Sequence, residues 1–148
     1  VNPFDLKTVL LAKHAQHVVL IHFPIALFLA GVAFDFIAER TRNAALAAAA
    51  YYNFMVAAAA VLPVLVTGLL AWQFALGGVR LRGLLLLHLL LGLIVAVLIW
   101  LVARVHYRWN RKQLGFPSYR WPIEGIAAVL IVLTAHLGGF LSGVNVGG

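Results

Sequence analysis

The stretch from Gly83 to Ala103 contains no charged side chain, and its only ionisable group is His88. A helix needs roughly 20 predominantly apolar residues to cross the hydrocarbon core of a bilayer, and this segment meets that requirement without interruption. A chain of 148 residues cannot hide several such runs in a water-soluble globule, because a small domain leaves much of its surface in water. Composition points the same way: 64% of residues are hydrophobic and 10% charged, against about half and about a quarter in an ordinary soluble domain. Three further segments qualify, which places four spans at approximately 18–37, 45–72, 83–103 and 123–141. The expected fold is an all-α integral membrane four-helix bundle, up-and-down, with residues 1–148 forming a single membrane domain and no internal repeat visible.

Two prolines fall within the apolar runs. Pro24 either starts the first membrane helix or kinks one already under way. Pro63, well inside the second span, is expected to bend it unless neighbours satisfy the freed carbonyl. Before the first span, residues Pro3 to Gln16 mix Phe4, Leu6, Val9, Leu10 and Leu11 with Asp5, Lys7 and Lys13, a pattern suited to a short interfacial helix. No cleavable signal pattern is visible, and the lack of an initiator Met is read as processing or trimming of the start.

Orientation is read from Lys and Arg in the short loops, where the cytoplasmic side carries the excess. Lys7, Lys13, Arg80 and Arg82 fall on the side of the termini; Arg40, Arg42, Arg104, Arg108, Arg111, Lys112 and Arg120 fall opposite. Both termini are therefore expected on the non-cytoplasmic side of a bacterial inner membrane. A cysteine introduced at Gly78 is then expected to react with an impermeant reagent outside the cell, and one at Gln113 is not. Tyr51, Tyr52, Trp100, Trp109 and Trp121 fit an inner aromatic belt, with Trp72 at the outer boundary. The net charge of +7 is explained by these flanking residues. The Arg, Tyr and Trp residues between Arg104 and Pro122 suit anionic lipid, and no nucleic-acid partner is expected.

With no Cys, disulfides, thiolate metal sites, iron–sulfur clusters and covalent c-type haem attachment are excluded, which leaves histidine as the main candidate ligand. His22 lies near the outer end of the first span, His88 five residues into the third, and His136 about five residues before the end of the fourth. At about 1.5 Å rise per residue, all three sit on the order of 10 Å or less below the outer surface. His17 lies nearer the water. Any single one of them fits a side chain that snorkels or bonds a local carbonyl; three helices delivering imidazole to one layer point to a site, because intramembrane ionisable groups are expensive. His106 and His14 are read as interfacial, and Asp35 as paired with Arg40 or Arg42.

A pair of neutral imidazoles across a four-helix bundle is a common way to hold b-type haem. In a sequential bundle the first and third helices are diagonal, which favours His22 and His88 as axial ligands to the iron. His136 is then a neighbouring donor or alternative ligand, and Arg80 and Arg82 neutralise the propionates. Gly68, beside Thr67, and Gly92, one turn below His88, let a flat ligand approach the backbone; small residues at such positions also serve ordinary helix–helix contact.

The first helix reads H-V-V-L-I-H-F-P-I-A-L from His17 to Leu27, the second carries Thr67-Gly68, and the fourth closes on T-A-H-L-G-G from Thr134 to Gly139. In these residues and in His88 the chain resembles, along its whole length, the DUF2231 family of predicted bacterial membrane proteins. The resemblance implies four membrane helices and matched histidines at His17, His22, His88 and His136. Its apparent association with redox proteins favours haem. Val18 stands where the family usually has proline, and Phe140, Leu141 and Ser142 replace a usual acidic residue followed by Val-Tyr.

The expected function is a small membrane b-type cytochrome or haem-binding subunit that passes electrons between a quinone or membrane partner and an extracytoplasmic redox protein. The spans contain no nucleophile–base pair, phosphate loop or paired carboxylates, so any enzymatic role is at most that of an electron-transfer subunit of an oxidoreductase. The alternatives are a cofactor-free structural or anchor subunit of a larger membrane complex, and a His-cluster metal or proton transporter.

Overall fold

A computed structural model describes residues 13–112 and 117–143. All regular structure among them is helical: α1 (Lys13–Leu20), α2 (His22–Thr41), α3 (Ala44–Leu70) continued by a π-helical turn (Ala71–Ala75), α4 (Gly83–Lys112) and α5 (Arg120–Leu141). Four spans result, Ala15–Thr41, Ala44–Ala75, Gly83–Arg111 and Arg120–Leu141, each long and apolar enough to cross a membrane. Their ends reach beyond the hydropathy limits because helices continue past the hydrocarbon core into the interface, where charge is tolerated. The expected interfacial helix over Pro3–Gln16 lies outside the described residues up to position 12; from Lys13 the chain is already helical.

The α1–α2 break follows from Pro24, which has no N–H to give the carbonyl of Leu20. The helix loosens at Ile21 while Ile21 N still bonds His17 O at 3.0 Å, so the proline perturbs a helix already under way. At Pro63 α3 continues. Trp100 of α4 donates its indole N–H to the carbonyl of Ala58 at 2.8 Å, one residue before the carbonyl that the proline deprives of its helical donor. Trp100, itself 46% exposed, thus ties the second and third spans together.

The α2–α3 corner is tight. Arg42 adopts a left-handed conformation (φ 53°) that closes α2, and the Asn43 side chain then accepts from the N–H groups of Ala45 and Leu46 to cap α3. At the other end Trp72 Nε1 donates to Val79 O at 2.9 Å, closing the turn through Gly77 and Gly78, both at positive φ.

Consecutive spans pack against each other and the fourth returns to the first, so the first and third stand on a diagonal. Phe28 and Phe54 meet edge to face at 5.3 Å between centroids, and α2 approaches α3 closely at Gly31, where a Cβ would meet the Phe54 ring at 2.8 Å. Around them lie Ala50, Ala57, Val61, Val95, Ala96, Ile99, Val102, Ala127 and Ile131.

Contrary to the reading of the sequence, the bundle contains an internal repeat. The buried positions of α3, Ala50, Phe54, Ala57 and Val61, recur 70 residues later in α5 as Arg120, Glu124, Ala127 and Ile131. Those of α2, Pro24, Phe28, Gly31 and Asp35, recur 71 residues later in α4 as Val95, Ile99, Val102 and His106. The two helical hairpins thus share a burial register, as parallel membrane repeats related by an axis along the bundle would. Residue identity hides most of it, since Phe54 matches Glu124 and Asp35 matches His106, although Ala57 and Ala127 coincide; burial register shows it more fully.

Candidate functional site

Two polar regions lie at opposite ends of the bundle. At the end that carries the termini, His17 of α1 faces α3: its Nδ1 lies 3.3 Å from Thr67 Oγ1. That hydroxyl also lies 2.8 Å from Pro63 O and 3.1 Å from Val64 O; giving its proton to either leaves it to accept from the histidine in the tautomer that carries hydrogen on Nδ1. His88 of α4 faces α5, and its Nδ1 donates to Thr134 O at 3.2 Å. Each ring is seated on a glycine of the facing helix. A Cβ at Gly68 would meet the His17 ring at 3.0 Å, and one at Gly138 would meet the His88 ring at 3.1 Å. His17 and His88, like Gly68 and Gly138, are counterparts in the repeat.

His22 is exposed, and its Nδ1 donates to Val18 O, one turn back, at 2.7 Å. His136 is exposed and meets the Phe140 ring edge to face at 4.9 Å. Arg80 and Arg82 are exposed in the loop between the second and third spans. A Cβ at Gly92 would meet nothing within 4 Å. The histidine layer therefore resolves into two equivalent, partly buried imidazoles, His17 and His88, and two exposed ones, His22 and His136.

This end is also the loosely sealed one. Fully buried residues are confined to Pro24–Ala38, Ala50–Val61, Val95–His106 and Arg120–Ile131; toward the termini Ala71 alone among the described residues is buried.

The opposite end is packed and charged. Asp35, His106, Arg120 and Glu124 are 4%, 1%, 6% and 1% exposed. Arg120 Nε donates to Asp35 Oδ2 at 2.8 Å, and its Nη2 to Glu39, a residue half exposed at the rim. The guanidinium also stacks over Trp121, 4.4 Å from the ring centroid. His106 Nε2 bonds Glu124 Oε1 at 2.9 Å, with its ring 4.5 Å from that of Phe54. Asp35, His106 and Glu124 each bring one donor atom within 4.8 Å of the others.

The family model for DUF2231, predicted membrane protein, matches residues 13–146. The chain belongs to this family. No curated protein and no solved structure matches it.

Two expectations for this DUF2231 chain are corrected by the charged end. Asp35 pairs with Arg120 of the last span, not with Arg40 or Arg42, because the up-and-down bundle brings α5 alongside α2. His106 is buried against Glu124, not interfacial, because it falls on the face of α4 that meets α5. Sequence reading passed over Glu124 altogether and took Arg120 as a loop charge. The available signal was their spacing: a cation and a carboxylate four residues apart at the start of an apolar span lie on one helix face, which would otherwise meet lipid.

Proposed function

We propose that this multi-pass membrane protein holds a b-type haem at the termini end of its bundle and serves as an electron-transfer subunit. It would work between a quinone or membrane partner and a redox protein on the non-cytoplasmic side of a bacterial inner membrane. The observation that carries the reading is the state of the imidazoles. His22 and His88 each spend Nδ1–H on a backbone carbonyl, which leaves Nε2 as the ligating nitrogen, and His17 is held through Nδ1 against the Thr67 hydroxyl. Histidines that ligate metals are held this way, the second ring nitrogen donating to a carbonyl or carboxylate that fixes tautomer and orientation.

The donor set suits iron in haem: imidazoles and no thiolate, at the end of the bundle where fewer of the described side chains are buried. The repeat favours His17 and His88 as the axial pair, since they occupy equivalent positions on diagonal spans; His22 with His88 is the other pairing. Haem, when bound, supplies the one-electron chemistry. The chain supplies ligation, and Thr67 and the Thr134 carbonyl hold the rings. Gly68 and Gly138 leave room for those rings, while Arg80 and Arg82, exposed in the loop at the same end, would supply positive charge for the propionates.

Purified protein is expected to show a reducible Soret band, with bis-imidazole low-spin character. His17→Ala and His88→Ala each abolish it, whereas His136→Ala retains haem and shifts its potential. Loss on His22→Ala with retention on His17→Ala selects the other pairing. A preparation that is colourless and takes up no added haemin overturns the proposal in favour of a cofactor-free anchor subunit. Copper or zinc held by these same histidines without haem overturns it in favour of transport.

A further inference from the structure

We propose that Asp35, His106 and Glu124 form a binding site for a divalent first-row transition-metal cation, inside the bundle at the end away from the termini. Three observations converge on it. The three side chains come from different spans, α2, α4 and α5, are almost fully buried, and bring donor atoms within 4.8 Å of one another. Four-coordinate ligands about 2.0–2.2 Å from a zinc-sized ion stand roughly 3.3 Å apart, so closing the set takes a side-chain adjustment of about an ångström and a half. Second, Glu124 Oε2 is buried with no hydrogen-bond partner among the described residues, where a carboxylate oxygen is ordinarily satisfied.

The third observation is charge, judged against the repeat. Arg120 pairs with Asp35 and with Glu39, which is half exposed, while the buried Glu124 is bonded by His106; a divalent cation would add positive charge beside the two buried carboxylates. In the first hairpin the places of Arg120 and Glu124 are taken by Ala50 and Phe54, both fully buried. The same packing register is therefore satisfied by apolar side chains, and helix contact alone does not call for ionisable groups here. Buried ion pairs replaced by apolar residues are often no less stable, so retaining a carboxylate at this depth points to a ligand. One imidazole with two carboxylates suits zinc, manganese or ferrous iron better than calcium or magnesium, and the absence of thiolate disfavours cuprous copper.

The test is titration of chelator-stripped, detergent-purified full-length protein with Zn2+, with Co2+ as a spectroscopic substitute. One equivalent is expected per chain. Co2+ should give the visible absorption of a low-symmetry nitrogen–oxygen site, quenched by Zn2+, and Zn2+ should raise the unfolding temperature. Glu124→Gln keeps the shape of the side chain, and His106→Gln is a second, independent disruption; each is expected to weaken binding at least tenfold and abolish the thermal shift. His17→Ala and His88→Ala, at the haem end, are expected to bind Zn2+ like the wild type, so this site and the haem reading fail separately. No stoichiometric binding by the wild type, wild-type affinity in Glu124→Gln, or loss of binding in the His17 or His88 variants each overturns the proposal.

Discussion

Arg120→Ala is expected to destabilise the bundle by about 3–5 kcal/mol, the penalty for stranding one partner of a buried ion pair. Asp35 is 4% exposed and has Arg120 Nε at 2.8 Å; without the guanidinium its charge stays buried beside the Glu124 carboxylate and His106. Glu39 is half exposed and can turn to water, so the loss falls mainly on Asp35. The pair joins α2 to α5, the first span to the last, where apolar contact is thinner than within either hairpin. Unfolding in detergent micelles measures the effect. The double variant Asp35→Leu/Arg120→Leu should recover most of it, because removing both charges removes the unpaired one. A single variant as stable as the wild type would show that Arg120 does not neutralise Asp35.

Phe54→Ala should be the most disruptive apolar truncation. The ring is 0% exposed and meets Phe28 at 5.3 Å, His106 at 4.5 Å and the backbone at Gly31. In a soluble core such a change costs about 3–5 kcal/mol, part lost transfer energy and part cavity. In a bilayer the transfer part shrinks, since lipid receives an apolar side chain as readily as the core does. The cavity and lost dispersion remain, so roughly 2–3 kcal/mol is expected. Phe23→Ala is the control: that ring is 57% exposed, and its truncation should change stability by less than about 0.5 kcal/mol. Equal effects at the two positions would mean that Phe54 has no special place in the packing.

The four spans, the even number of crossings and the place of His22, His88 and His136 near one end were legible in the sequence by itself. Each depends on local quantities, namely the length of an uncharged apolar run and the rise per residue of a helix. Which way a side chain faces was not legible, because these helices are apolar all round and amphipathic periodicity, which marks the core face of a soluble helix, is nearly absent. Tertiary structure therefore decided that His88 turns to Thr134 and Gly138, that His17 rather than His22 is its counterpart, and that Asp35 reaches across to Arg120. It also decided the repeat. Apart from His17 with His88 and Gly68 with Gly138, most equivalent positions share burial more than chemistry, so Phe54 and Glu124 become comparable only when both are seen buried in the bundle, and the buried triad of Asp35, His106 and Glu124 exists only once three spans have met.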